Sequence, residues 1–579
     1  MSNKYILILV DGKKVAGDVS NNTDLARIDM GRVKRIEILK GAASALYGSD
    51  AIAGVINVIT EHPKDPVNVQ SKTRVGGESS FSQNANVDLN LGKFTSSTSY
   101  QRRQMGGWQL SPYELDGDTA ILSKREASSR FYSNIVNQHF TYSPTKQLKL
   151  YAQGGYFDRK VIRPVEKTKN DGGYTYDLTY MDYNIGAGGR YQLNETDYLS
   201  LDFYVDNYEY NKLYTVAQVS KKDTTFRVGD EELTKRQKYY NANLKGVFKL
   251  GNYNKISLGT EYTNDYMKNP GNLEKPEGIY TLAIYAQDEI RLWKNLQILP
   301  GFRYVYNEMF KNSFTPKIAL MYTLGNFNFR ASYAAGFKTP SIQELYYDYE
   351  NRGAITVGNP DLKPEKANYY NINVEYAGKY LNISANGYIN DVKDIIEKYD
   401  IGATDEEKAN GIKTHNMYQN LDKASIKGFD ISANSYLGAG FSAAGSYNCV
   451  YAADDSGHRL SESVRHAATF RAGWSHEWNK YTLRANVNGR IQGSKYIYKK
   501  TTDKKTGEDI YTDVSAPKYQ LWNFATTHTF APVGNFLFEI NAGIDNLFDW
   551  TDDRPSGVNY ATLNPGRTLF ASLIIRFTK

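Results

Sequence analysis

Residues Leu199–Asp206 read LSLDFYVD. Leu199, Leu201, Phe203 and Val205 alternate with Ser200, Asp202, Tyr204 and Asp206. A period of two belongs to a β-strand with one apolar and one polar face. The pattern returns along most of the chain. Leu381, Ile383, Ala385 and Ile389 alternate with Asn382, Ser384, Asn386 and Asn390. Near the C-terminus, Leu569, Ala571, Leu573, Ile575 and Phe577 face away from Ser572 and Arg576. Two architectures hide such an apolar face. A soluble sandwich buries it between sheets, whereas a transmembrane barrel turns it to lipid and its polar face to a wet lumen.

Connections favour the barrel. Asn194–Asp197 and Gly251–Asn252 are short turns, while Gly106–Ser129, Val216–Lys235 and Tyr498–Ala516 are long polar loops. Short turns on one rim and long loops on the other mark an outer-membrane barrel. Composition agrees: 48 Tyr and 47 Gly accompany a mean hydropathy of −0.57. No apolar run approaches the roughly 18 residues of a membrane helix. The roughly 510 residues beyond the opening segment suit an all-β, antiparallel barrel of about 22 strands.

Charge and cysteine content exclude other classes. The 70 basic and 63 acidic residues are well mixed, with no basic block for nucleic acid. A single cysteine, Cys449, permits neither an internal disulfide nor a cysteine-based metal site. No nucleophile motif appears, and the seven His lack metal-ligand spacing. Nothing marks an enzyme or calls for a cofactor. Asp454-Asp455 and Asp552-Asp553 are candidate Ca²⁺ ligands, with solvated turns the favoured reading.

The opening segment differs from the rest. Ile6–Val10 reads as a short strand entering a turn at Asp11-Gly12, and the N-terminus as written lacks the apolar run of an export signal. Val33–Leu39 is a second strand, in which Arg35 and Glu37 share one face and Ile36 and Ile38 the other. The Ile face is expected to join a core and the charged pair to meet a wet wall. Gly41, Gly48 and Gly54 are expected at tight turns or close backbone approaches.

These residues resemble the second half of the plug domain of TonB-dependent outer-membrane receptors. The likeness rests on Leu9-Val10-Asp11-Gly12, then Arg35, Glu37, Lys40, Gly41, Ser44, Leu46, Tyr47, Gly48, Ser49, Asp50, Ala51, Gly54, Val55, Ile56 and Asn57. Ala42 and Ala53 stand where the family often has Pro and Gly. Further on, Tyr285–Glu289, Gly301–Tyr304, Pro316–Ile318, Gly336–Pro340 with Glu344–Tyr346, Asn359–Glu365 and Gly543–Asp549 are similar to the family's barrel boxes. The resemblance implies a Gram-negative outer-membrane importer with residues 1–62 as the C-terminal part of a plug and 67–579 as the barrel. It also implies a TonB-type energy-coupling partner, whose docking box is not in this sequence. Family plugs are much longer, so an N-terminally truncated plug is the expectation.

The ligand is expected in the vestibule. Tyr346, Tyr347, Tyr349 and Arg352 lie between the two central boxes, and His415 and Met417 lie in a second loop. Read as an extended segment, the tyrosines present two phenols on one side and one on the other. A planar ligand could stack there, Arg352 could pair with an acidic group, and Tyr, His415 or Met417 could ligate haem iron. The resemblance implies haem, another iron chelate or cobalamin as cargo. An aromatic rim without a specific ligand, and a transport-inactive barrel with an incomplete plug, are the competing readings.

Overall fold

The computed structural model describes residues 5–19, 22–108, 113–116, 119–122, 128–163, 175–219, 225–351, 353–455, 457, 459–460, 463–502, 509–551 and 564–579. Its frame is a closed antiparallel barrel of 22 membrane-crossing strands, which runs from Val67–Gly76 to Thr568–Thr578. These two end strands pair with each other, Leu573 opposite Thr73, and so remove both sheet edges. The alternation places side chains as expected. Leu199, Leu201 and Phe203 are exposed on the outer face, whereas Tyr204 and Asp206 are buried in the lumen.

Turns follow local chemistry. The Asn194 side-chain oxygen accepts the N–H groups of Thr196 (2.9 Å) and Asp197 (2.9 Å), closing one short turn. The strand Glu231–Leu250 begins inside the stretch read as loop from Val216 to Lys235. A ribbon of Lys495–Thr502 against Asp509–Ala516 builds another long connection. Several strands outrun the roughly 9–11 residues that cross a bilayer; Thr414–Gly438, with 25 residues, is the longest among the described residues. The sheet therefore continues above the membrane as a rim.

The apolar band predicts a depth-dependent penalty for charge. Leu573 is exposed near the middle of the closing strand. Leu573→Arg is expected to cost about 2–4 kcal/mol of folding stability in a bilayer. Denaturant titration in lipid vesicles measures it, and an unchanged midpoint would place Leu573 away from lipid.

Inside the lumen sits a four-stranded sheet in the order Lys13–Lys14, Ile6–Val10, Gly54–Thr60, Val33–Lys40. Ile6–Val10 runs parallel to Gly54–Thr60, with Ile8 opposite Ile56. Val33–Lys40 runs antiparallel to it, with Glu37 opposite Asn57. Small cores form on the two middle strands: Leu7, Leu9, Ala43, Ala51 and Val55 make one, and Ile8, Val15, Ile28 and Val58 another.

The strand Val33–Lys40 corrects one expectation. Ile36 and Ile38 are 48% and 66% exposed, so they are not plug core. Arg35 and Glu37 pair with each other at 2.6 Å rather than with the wall. The cause is position: this is the sheet's edge strand, and its Ile face turns away from the cores on the two middle strands, which Val33 meets at its start. Lys40, at its end, reaches the wall residue Asp430 at 2.5 Å.

Two glycines fit the plug against the barrel. Gly41 has φ +82°, and a Cβ there would lie 2.2 Å from the Tyr369 ring. Gly48 has φ +80° and abuts the Arg303 guanidinium, 3.3 Å from where its Cβ would stand. A side chain at Gly41 would meet both strain and a clash.

Candidate functional site: the plug seam and the extracellular lid

The polar face of Leu199–Asp206 turns out to hold the plug. Arg27 Nη1 lies 2.7 Å from Asp182 and 3.1 Å from Asp206, and all three side chains are almost wholly buried. Asp206 also accepts the N–H of Ala16 at 3.2 Å. Arg32 Nη1 donates to both oxygens of Asp88, at 2.8 and 2.9 Å. Lys13 pairs with Asp202 at 2.9 Å, and wall residue Lys235 pairs with plug residue Asp18 at 2.7 Å. Ion pairs of this kind hold two surfaces in one register but dissolve when water enters, unlike a packed apolar core.

Sequence reading missed these partners. Its one usable signal was Asp202 and Asp206 on a strand face that had to line the lumen. Ser44 is buried, and its Oγ accepts the N–H of Phe337 at 3.2 Å. The central family box around Phe337 therefore abuts the plug.

Above the plug, the described residues of Pro340–Asn359 fold into a lid. Ser341 and Glu344 form a capping box that starts the helix Ile342–Tyr346. Lys338 lies 3.1 Å from Glu344 and 3.6 Å from Glu365, with all three buried, so the two central boxes meet in one charge cluster. Beyond the helix, Asp348–Asn351 pairs with Ala354–Val357, which lies parallel to the start of Thr414–Gly438. The two loops singled out in the sequence thus join one small sheet.

Each candidate ligand residue has a definite place. Tyr346 closes the helix rather than an extended segment, and its OH lies 3.1 Å from Met309 Sδ. Burial raises its pKa, aided by Glu277 and Glu308. Tyr347 is 4% exposed, in an apolar cluster with Met267, Leu345, Leu362, Ile396 and Tyr418. Its OH accepts from Asn269 Nδ2 at 2.9 Å and donates to Met267 Sδ at 3.4 Å. Burial, above all, pushes its pKa up. Tyr347 is an anchor of the lid. Tyr349 meets its ring edge-on, centroids 6.1 Å apart.

Register separates the others. Tyr349 lies opposite Thr356, which lies beside Asn416, whereas His415 and Met417 lie beside Ile355 and Val357. Tyr349 therefore points to one face of the small sheet, and His415 and Met417 to the other. His415 Nδ1 lies 2.9 Å from Glu407. Arg352 and Asp552-Asp553 fall outside the described residues. Asp454 ends a barrel strand, and among the described residues no three His, Cys, Asp or Glu gather as a metal site.

A wide barrel filled by a domain pinned through ion pairs, under a folded outer lid, defines a plugged outer-membrane receptor. Comparison with known proteins agrees. A family model described as "TonB dependent receptor-like, beta-barrel" matches residues 107–547, and one described as "TonB-dependent Receptor Plug Domain" matches residues 1–55. The chain belongs to the TonB-dependent receptor family, and its place is the bacterial outer membrane. It is 23% identical over 561 residues to the vitamin B12 transporter BtuB of Photobacterium profundum, covering 95% of this chain and 81% of that one. The solved ferric enterobactin receptor PfeA superposes with a TM-score of 0.81 at 17% identity, covering 100% of this chain and 92% of that one. The siderophore receptor PirA of Acinetobacter baumannii gives 0.79 at 17% identity, covering 99% of this chain and 91% of that one.

Proposed function

We propose that this receptor imports a bulky iron chelate, haem or a ferric siderophore, captured at the lid and released inward when the plug shifts. In this reading residues 1–62 are the gate and residues 67–579 the wall. The observation that carries it is the joint between lid and plug. The Thr339 N–H donates to Ser49 Oγ at 3.0 Å, one residue before the lid begins at Pro340. A ligand that moves the lid therefore pulls on a plug held by ion pairs. The siderophore receptors that share the fold support iron chelates, and the B12 transporter supports cobalamin as the alternative cargo.

Tyr346 and Tyr349 are the proposed contact residues, with Arg352 as the proposed acid-pairing group and Tyr347 as their support; His415 and Met417, on the other face of the small sheet, are the alternative contact set. Adding haem, ferric enterobactin and cobalamin in turn to purified receptor, with fluorescence quenching as readout, separates the cargoes. Tyr349→Ala is expected to weaken chelate binding about tenfold, equivalent to about 1.4 kcal/mol. Tyr347→Phe, which keeps the buried ring, is expected to bind nearly as wild type. Binding of cobalamin alone would replace the chelate, and binding of none would refute the import reading.

A further inference from the structure

Of the cavities along the seam between plug and wall, two run from the lid toward the opposite rim. The upper one, about 190 Å³, sits under the lid and is lined by Met267, Ile279, Pro340 and Ile342. The lower one, about 520 Å³, extends to His62, Lys149 and Lys245, which stand near the short-turn rim. Leu7, Lys14, Asp50, Asp265, Thr281 and Thr339 line both. The chambers therefore meet at one place. Lys14 spans it: its Nζ lies 3.0 Å from Asp50 on the plug and 3.6 Å from Asp265 on the wall. The ammonium also sits 5.1 Å from the centre of the Tyr239 ring.

We infer that the two chambers form a permeation path for hydrated ions and small polar solutes, and that Lys14 closes it. This rests on the import reading, since the same seam would widen when the plug shifts. Its chemistry is that of a charged constriction. Lys14 and Asp50 are each about a quarter exposed, and both line the two chambers. Burial works against the Lys14 charge, but Asp265 and Asp50 overcome it and hold its pKa well above the usual lysine value. The ammonium therefore stays charged and bridged at neutral pH. Ser49 adds a tie from the plug side, donating to Asp50 at 2.9 Å. Without the Lys14 side chain, two carboxylates would face an open junction, and cations would be drawn through it.

Single-channel recording of the purified receptor in planar bilayers with KCl tests this. Current through the rest of the lumen sets the baseline. Lys14→Ala is expected to raise conductance severalfold, and the increment should favour K⁺ over Cl⁻. Lys14→Arg, which keeps the bridge, should stay at baseline, and heat-modifiable migration on gels verifies folding of each variant. Thr263 lines the lower chamber but not the upper. In a Lys14→Ala, Thr263→Cys, Cys449→Ser background, a charged methanethiosulfonate should abolish the increment and leave the baseline. An unchanged conductance in Lys14→Ala, a Cl⁻-selective increment, or one that survives the reagent would overturn the path. Ligand binding by the same preparations tests the import reading separately: intact binding with no increment refutes the gate alone.

Discussion

Arg27→Met is expected to loosen the plug, lowering the stability of its seat in the barrel by about 3–5 kcal/mol, the usual cost of breaking a buried ion pair from one side. The guanidinium serves two carboxylates at once. Asp182 is 2.7 Å away and Asp206 3.1 Å, and the side chain also lies 5.0 Å from the Tyr208 ring centre. Met fills much of the volume but leaves two nearby carboxylates buried with no cation between them. Their repulsion and desolvation dominate the cost, rather than the lost attraction. A second variant separates these terms. Arg27→Met with Asp182→Asn and Asp206→Asn removes all three charges and is expected to recover most of the loss. Urea titration followed by protease cleavage within residues 5–60 reads plug release while the barrel stays folded. An unchanged midpoint for Arg27→Met would mean that water in the seam already solvates the carboxylates.

What was legible in the sequence, and what was not, divides along one physical line. Period-two alternation exposed the barrel because lipid demands an apolar residue at every second position. The plug boxes were legible through their resemblance to the family pattern, and Gly41 and Gly48 within them have the positive φ and close neighbours expected of them. Partners across the lumen carry no such local mark. Arg27 and Asp182 are 155 residues apart, and a lumen face offers many polar residues to any plug cation. The strand Val33–Lys40 misled because alternation cannot tell an edge strand from a central one. The lid was partly readable. Ser341-Ile342-Gln343-Glu344 is the S-x-x-E of a capping box, and it would have argued against an extended run of tyrosines. The burial of Tyr347 was not readable, because its pocket comes from Met267, Ile396 and Tyr418 on other strands.

Locking the joint between lid and plug is expected to abolish import without touching capture. Ser49 Oγ and Thr339 Oγ1 lie 2.9 Å apart, one on the plug and one on the wall. Hydroxyls that close bring their β-carbons near the roughly 3.5–4.5 Å that a disulfide spans. Ser49→Cys with Thr339→Cys, in a Cys449→Ser background that removes the native thiol, should therefore crosslink in the oxidising periplasm. The bond would replace two hydrogen bonds with a covalent tie beside Asp50 and Lys14. A plug that must leave the wall cannot do so. Cells that take up ligand through this receptor should fall to the level of cells lacking it, while surface binding stays at the wild-type value. A membrane-permeant reductant should restore uptake to the level of the single-cysteine variants, which lose hydrogen bonds at the joint but carry no crosslink. Normal uptake by the crosslinked receptor would mean that the ligand passes elsewhere in the lumen, with this side of the plug fixed throughout.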